Sequence, residues 1–500
     1  MFEGKEVKVI LSQAGGGKTT HLMKLIEKDL ETKRPEEIAF LTFTKKGAEE
    51  GVRRICNLYG YSPDELPYFR TLHSLTYHAL NLQRENLFCK VSENDFNRTY
   101  GYYVNRSEKK GNVDIETKDS LYLDYYDAER SGALTSKDIS EADIEISYYR
   151  QIVHDYEEYK SQRCLADFFD CLVKYEQSGN PLPCKVVYVD EAQDLTALQW
   201  KVVERASVNA EKIYIAGDEN QAIFTYNGGR ADIFLTLAKQ YKCDYLKESY
   251  RIPRKVFALA KGIVGMIDEK TNKPFDFHEG NKEGSVVEFS DVDRLKNFFG
   301  SGEQLHDKTT CDWYLLARNK CFFKKYTCFL EQNLIPYWTP DGFFMTPPVL
   351  SRIKDYMGFR LEGYKNESKR QEFAEKFGIK DFTKPFTDTS LFTEDRKWIY
   401  ATFIEHYGFK KLCEMSKWNP QILVSTIHHV KGGEAENVAI LLSTTKRTSG
   451  VIYDSLDDEL RVLYVGITRA KSNLFLIDGD NSKTYTNILN TVRDQYSLSW

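Results

Sequence analysis

The sequence predicts an α/β protein built on two parallel sheets, each interrupted once by a mostly helical stretch. Three observations predict it. Apolar runs of strand length recur, helix-period segments alternate with them, and the alternation stops twice over long polar stretches before resuming. With 500 residues, 41% of them hydrophobic, the chain can bury several cores and is expected to be multidomain.

Val7–Leu11 and Ile38–Phe43 read as strands, with Thr19–Leu30 and Lys45–Tyr59 as the helices that follow them, and the pattern holds to about Leu82. From about Gln83 to Pro183 the chain is polar, Tyr-rich and helix-like, most clearly at Tyr148–Lys160 and Leu165–Glu176, as an insertion would be. Lys185–Asp190 and Lys212–Ala216 resume the first sheet. The second sheet is expected from Trp313–Ala317, Ile422–Thr426, Val438–Leu442 and Asn473–Ile477. A charged, aromatic stretch from roughly Ser351 to Pro420 interrupts it, with helix-like pieces at Arg370–Phe377 and Trp398–His406. Gly300-Ser301-Gly302 and Thr346-Pro347-Pro348 are the best turn or linker signals.

Composition limits the classes of function. No apolar run approaches the ~18 residues of a membrane span, and the first strand starts within ten residues of Met1, so neither an anchor nor a signal peptide is expected. The expected location is the cytoplasm, a host's if the source is viral. The ten cysteines show no metal-ligand spacing and read as reduced thiols. A net charge of −5 gives no support to a nucleic-acid partner and does not exclude one, because phosphate contacts depend on local Lys and Arg. The 32 tyrosines are compatible with base stacking, although core packing is the commoner use.

The chemistry starts at Ser12-Gln13-Ala14-Gly15-Gly16-Gly17-Lys18-Thr19, between a strand and a helix. Ala14, Gly15, Gly16 and Gly17 would turn backbone amides onto phosphates, with Lys18 reaching the β/γ-phosphates, Thr19 offering a Mg²⁺ ligand and Thr20 completing the cradle. Val186–Val189 is an apolar strand that delivers Asp190 and Glu191 at its C-terminal end, where open α/β sheets bind ligands. Asp190 is expected to hold Mg²⁺ and Glu191 to polarise water. Ile213–Ala216 runs into Gly217-Asp218-Glu219-Asn220-Gln221, where Gln221 suits a γ-phosphate sensor because an amide both donates and accepts.

These segments, taken in order, resemble superfamily 1 DNA helicases of the UvrD/Rep/PcrA-like group. The resemblance continues through Leu41–Ala48, Thr71-Leu72-His73-Ser74, Asp190–Asp194, Gly217–Phe224, Ser249-Tyr250-Arg251, Ser425–Glu434 and Leu463–Lys471. It implies two RecA-like P-loop NTPase domains with ATP in the cleft between them. Domain one would comprise 1–85 and 184–248 with a helical insertion at 86–183, and domain two 249–350 and 421–500 with a small insertion at 351–420. Arg251 and Arg469 would be arginine fingers reaching across from the second domain, Tyr250 would stack on adenine, and Glu434 would accept from the ribose. Phe43, Phe224 and Tyr226 would contact bases, while Thr44, Lys45, His73, Thr426 and His428 would contact phosphates or couple the domains.

The chain departs from the family pattern in places. Only Met1–Glu6 precedes the first strand, so an adenine-reading glutamine segment is missing; Gln13 replaces a glycine, Tyr226 a tryptophan and Asn227 an arginine. The second insertion is short and no nuclease-like extension follows Arg469. The implied activity is ATP- and Mg²⁺-dependent 3′→5′ movement along single-stranded DNA with separation of duplex at junctions, in replication, repair or recombination, alongside proteins of those pathways. Nothing in the sequence requires more than a monomer. The rivals are a translocase that displaces proteins without unwinding and a P-loop ATPase serving as an interaction module; a small-molecule kinase would not need the second sheet.

Overall fold

In the computed structural model, the residues described are 1–106, 117–141, 144–178, 180–268, 270–271, 273–299, 311–345, 396–445, 448, 456–479 and 484–497. The expected helix Arg370–Phe377 and the linker signals at 300–302 and 346–348 lie outside them. The strands, in chain order, are β1 (Glu6–Leu11), β2 (Ile38–Thr42), β3 (Phe69–Thr71), β4 (Val186–Asp190), β5 (Lys212–Gly217), β6 (Lys242–Tyr245), β7 (Glu248–Ser249), β8 (Asp276–Phe277), β9 (Ser285–Phe289), β10 (Trp313–Ala317), β11 (Trp338–Thr339), β12 (Gly342–Phe343), β13 (Ile422–Thr426), β14 (Ala435–Leu441) and β15 (Ala470–Ile477).

Six strands form a wholly parallel sheet in the order β3-β2-β4-β5-β1-β6. Its register pairs Leu11 with Gly217 and Thr42 with Asp190, so the C-terminal ends of β1, β5, β4 and β2 share one edge of the sheet. That edge is where a parallel α/β sheet presents its loops to a ligand. Both faces are covered. Val9, Leu11, Leu41, Val189 and Ile215 pack on one side with Leu72, Trp200 and Phe234; Ile10, Phe40, Tyr188 and Ala216 pack on the other with Leu22, Ile26 and Ile55. The helices on that second side are α1 (Lys18–Leu30) and α2 (Lys45–Tyr59). The continuous apolar runs in the sequence follow from this two-sided burial.

The second sheet runs β12-β11-β13-β10-β14-β15-β9, parallel except for the short β11–β12 pair. Its core gathers Leu315, Val424, Ala439, Phe475 and Ile477 with Tyr326, Phe329 and Leu330. Every expected strand is present. The sequence reading omitted two edge strands, β6, whose Lys-Cys-Asp-Tyr carries no apolar run, and β9, whose Ser-Val-Val-Glu-Phe has an apolar run of only two residues, and it omitted β3, β7, β8, β11 and β12 because they are two or three residues long. Among the described residues, no helix is long and apolar enough to cross a membrane.

The stretch between β3 and β4 is helical, including Lys118–Ser131, Ile146–Gln162 and Phe168–Ser178. Its tyrosines do two jobs. Their rings form a core around Phe96 and Leu123, and their hydroxyls donate to acids: Tyr102 to Asp155 at 2.6 Å, Tyr148 to Asp119 at 2.8 Å, Tyr149 to Glu129 at 2.9 Å and Tyr159 to Asp95 at 2.9 Å. Tyrosine suits a small helical body whose interior must also satisfy carboxylates. Asp167 accepts from Arg130 at 2.8 Å and from Lys160 at 2.9 Å. Burial pushes its carboxyl up, and Arg130 and Lys160 overcome this and hold it well below the usual carboxylate range.

The chain divides into two compact units: Met1–Ile252 with Val264–Asn281 and Ser455–Tyr464, and Pro253–Ile263 with Lys282–Asp454 and Val465–Trp500. The sequence reading places 249–252, 264–281 and 455–464 in the second domain; in this division they group with the first unit.

Two outcomes test this packing. A Cβ on Gly51 of α2 would fall 2.7 Å from the buried Phe40 ring of β2. Gly51→Val is therefore expected to cost about 1–3 kcal/mol in denaturant unfolding, with less of the helix-propensity gain that partly masks the strain in Gly51→Ala. A depressed carboxyl stabilises above its unfolded value and loses that contribution as pH falls, so the helical insertion should weaken from about pH 4 downward. Near-ultraviolet tyrosine dichroism would follow that loss, which Asp167→Asn should blunt.

Candidate functional site

The loop after β1 needs its glycines for different reasons. Gly15 and Gly17 have φ of 72° and 79°, the left-handed region that favours glycine. A Cβ on Gly16 would lie 2.3 Å from the Ser12 hydroxyl. Gly17 caps α1 without a side-chain hydrogen bond, and the first-turn amides of a helix are the donors that an anion site uses. Lys18, 8% exposed, reaches Glu191 at 3.6 Å. Thr20 lies one residue further into α1, where its hydroxyl accepts from Arg54 at 3.0 Å.

The carboxylates arrive from β4. The Thr19 hydroxyl donates to Asp190 at 2.8 Å, and the Glu191 amide donates to the other Asp190 oxygen at 2.9 Å. Glu191 itself has φ of 53°, an uncommon backbone state for glutamate that turns its side chain toward Lys18. Burial, and then Glu191 beside it, push the Asp190 carboxyl up against the pull of Lys18. Two carboxylates with one nearby ammonium make a cation-seeking site, and the buried Thr42 hydroxyl at the end of β2 has no hydrogen-bond partner. The donors here, Thr19 and Asp190, are hard oxygens that fit Mg²⁺.

Gln193, quoted in the sequence reading without a role, joins these groups. Its Nε2 donates to Glu191 at 2.6 Å and its Oε1 accepts from the Asp218 amide at 3.0 Å. Gln221 donates to Asp218 at 2.6 Å. The water-polarising candidate and the phosphate-sensing candidate therefore share one hydrogen-bonded chain.

The loop is also held from residues 247–278. Ser249 Oγ donates to the Ala14 carbonyl at 2.7 Å and the Tyr250 amide to the Gly15 carbonyl at 3.0 Å. Gln13, in place of the family's glycine, donates from Nε2 to the Lys247 carbonyl at 2.5 Å and the Asp276 carbonyl at 2.7 Å. The Tyr250 ring, 63% exposed, packs on His278 with centroids 4.8 Å apart and leaves a face open at the loop's rim. Arg251, which the sequence reading brings across from the second domain, lies in the first unit, where a Cβ on Gly15 would lie 2.6 Å from the Arg251 Cβ. The Tyr464 hydroxyl accepts from the Ala14 amide at 3.2 Å, a contact that the sequence reading missed although it quoted the segment.

Of the residues assigned to nucleic acid, Phe43 and Phe224 come together with ring centroids 5.4 Å apart, both half-buried. Thr44 is spent as the N-cap of α2, accepting from the Gly47 amide at 3.1 Å, while Lys45 is exposed. His73 meets the exposed Phe168 edge-on at 5.9 Å, and burial lowers its pKa. The Tyr226 side chain lies outside the described residues. In the second unit, Thr426 accepts from the His429 amide at 3.3 Å, His428 is half-buried after β13, and Glu434 pairs with Lys471 at 3.5 Å. Arg469 is buried, donating to the carbonyls of Val465 at 2.8 Å and Gly433 at 3.1 Å.

Residues 3–242 match the UvrD/REP helicase N-terminal domain, and residues 358–480 match the UvrD-like helicase C-terminal domain. The chain belongs to the UvrD/Rep/PcrA-like helicases of superfamily 1. Among similar proteins, a probable DNA helicase II homolog of Mycoplasma pneumoniae is 23% identical over 95% of this chain and 82% of its own length. The ATP-dependent DNA helicase PcrA of Bacillus subtilis is 22% identical over 59% of this chain and 42% of its own length. The ATP-dependent DNA helicase Rep of Buchnera aphidicola is 23% identical over 69% and 55%. Against the last two, this UvrD-like chain spans about half of the relative.

The loop geometry makes a sharp prediction. Gly16→Ala should weaken binding of a fluorescent ATP analogue at least tenfold, since the added methyl displaces Ser12 in the cradle, while circular dichroism stays unchanged. Glu191→Gln should bind the analogue normally and lower the hydrolysis rate by about 10²–10⁴, the usual contribution of a positioned base.

Proposed function

We propose that this chain is an ATP-driven motor on single-stranded DNA that moves 3′→5′ and separates duplex at junctions. The observation that carries the reading is the convergence, at one sheet edge, of the glycine loop with Lys18, the Thr19–Asp190 pair and Glu191. ATP and DNA are taken from the family and from the PcrA and Rep relatives, which are ATP-dependent DNA helicases by name.

Each residue has a task in hydrolysis. The remaining amides of the Ala14–Gly17 loop, those of Ala14 and Gly16 being given to Tyr464 and the Gln13 carbonyl, and the Lys18 ammonium bind phosphate oxygens and orient the terminal phosphoryl group. Glu191, fixed by Gln193, accepts a proton from the attacking water. Gln221 reports whether the γ-phosphate is present. Bound at Thr19 and Asp190, Mg²⁺ would neutralise charge on the β/γ oxygens. The open face of Tyr250 stacks the base, with Glu434 as ribose acceptor and Arg251 and Arg469 stabilising developing charge. Phe43 and Phe224 stack bases without sequence preference, which suits a motor. Thr44, Lys45, His73, Tyr226, Thr426 and His428 line or couple the strand's path. The proposed setting is replication, repair or recombination.

The test is steady-state ATPase activity with Mg²⁺, with and without single-stranded DNA, followed by strand release from duplexes carrying a 3′ or a 5′ tail. Strong stimulation by DNA and release from the 3′-tailed duplex are expected. Hydrolysis indifferent to both DNA and RNA would overturn the motor, and stimulation without release would leave a translocase. Lys18→Ala should abolish turnover, and Arg469→Ala should lower kcat by about 10³ or more with little loss of nucleotide binding.

A further inference from the structure

Lys273 lies in the segment that returns to the first unit, between the helix Arg254–Met266 and β8. No sequence motif marks it. Its side chain is 4% exposed, and the ammonium sits 2.6 Å from Asp218 and 2.7 Å from Glu219, whose side chains are both fully buried, and also donates to the Ser12 carbonyl at the start of the glycine loop. Three acceptors use its three donors. Glu219 is held further by Thr271, whose amide and hydroxyl donate to its other oxygen at 3.1 and 2.5 Å. Burial works against the charge on Lys273, and Asp218 and Glu219 outweigh it, leaving its pKa above the ordinary lysine value.

Asp218 is the hub. One oxygen takes Lys273 and the Asn220 amide, the other takes Gln221, and its own amide donates to Gln193, which donates in turn to Glu191. We propose that Lys273 is a positioning residue: by neutralising and fixing Asp218 and Glu219 it holds Gln221 and Glu191 in the arrangement needed for hydrolysis, and ties both to the glycine loop through Ser12. Without a cation there, two adjacent buried carboxylates would repel or take a proton, and the loop 218–221 would lose the anchor that sets its side chains. The assignment to hydrolysis rests on the proposed function; the assignment to loop order does not.

The experiment uses the full chain with three forms: wild type, Lys273→Met, and Lys273→Met combined with Glu219→Gln, which returns the cluster to its original net charge. ATPase kinetics are read as kcat against KM, nucleotide affinity with a fluorescent ATP analogue, and local order by amide hydrogen exchange of peptides spanning 191–194 and 217–222. In Lys273→Met, exchange at the Asp218 and Asn220 amides should rise at least tenfold while β1 and β5 stay protected, and kcat should fall at least tenfold with analogue affinity changed less than threefold. The double variant should regain thermal stability and remain slow. Recovery of kcat in the double variant would reduce Lys273 to charge balance and overturn the proposal, as would unchanged exchange at 217–222. An inactive wild type would sink the motor reading alone, since the exchange result still decides whether Lys273 orders the loop.

Discussion

A loop made largely of glycine has no side chains with which to hold its own shape. The loop at Ser12–Gly17 is instead held by other segments: Lys273 takes the Ser12 carbonyl, Ser249 that of Ala14 and the Tyr250 amide that of Gly15, while Gln13 reaches out to Lys247 and Asp276. Freedom of the glycine backbone is useful for wrapping phosphates and costly in entropy, so the loop becomes a preformed cradle only when neighbours order it. The β7–β8 pair supplies two of those neighbours. It is two residues long on each side, and its value lies in where it fixes Ser249 and Asp276.

The parallel sheet does the complementary work for the carboxylates. With β5 between β1 and β4, the glycine loop and Asp190 stand on either side of Gly217, and the chain through Gln193 and Asp218 spans that gap. Gly217 is needed there, since a Cβ would lie 2.6 Å from Phe234 and 2.8 Å from the Gln193 amide oxygen. A bulkier residue would push Gln193 away from Glu191. The electrostatics at this edge are unfavourable by themselves, with Asp190 beside Glu191 and Asp218 beside Glu219, and the buried lysines Lys18 and Lys273 each answer one pair.

Much of this was legible in the sequence, for a physical reason. Strands buried on both faces have to be apolar throughout, so β1, β2, β4, β5, β10, β13, β14 and β15 announce themselves, and the residues at their ends become readable as chemistry. Edge strands such as β6 carry no such signature. Residues acting over long sequence separations were invisible for another reason. Lys273 meets Asp218 across 55 residues and Tyr464 meets Ala14 across 450, and neither spacing follows any local period. Arg251 was recognised as part of the site, but its sequence position gives no sign that the chain stays beside the glycine loop until Ile252. The abundance of tyrosine, which left base stacking open, resolves in the helical insertion into rings packed as core and hydroxyls answering acids.

The first unit draws on residues as far along as Tyr464, and this bears on how the protein is made. Chains emerge from the ribosome N-terminus first, and domains generally fold as units. A nascent chain ending near Ile252 already carries all six strands of the first sheet, yet lacks the lysine at 273 and the tyrosine at 464 that complete the surroundings of its glycine loop. The cradle is therefore finished only once synthesis has passed Tyr464, so that a product terminated before that residue would carry the sheet without the fully braced loop.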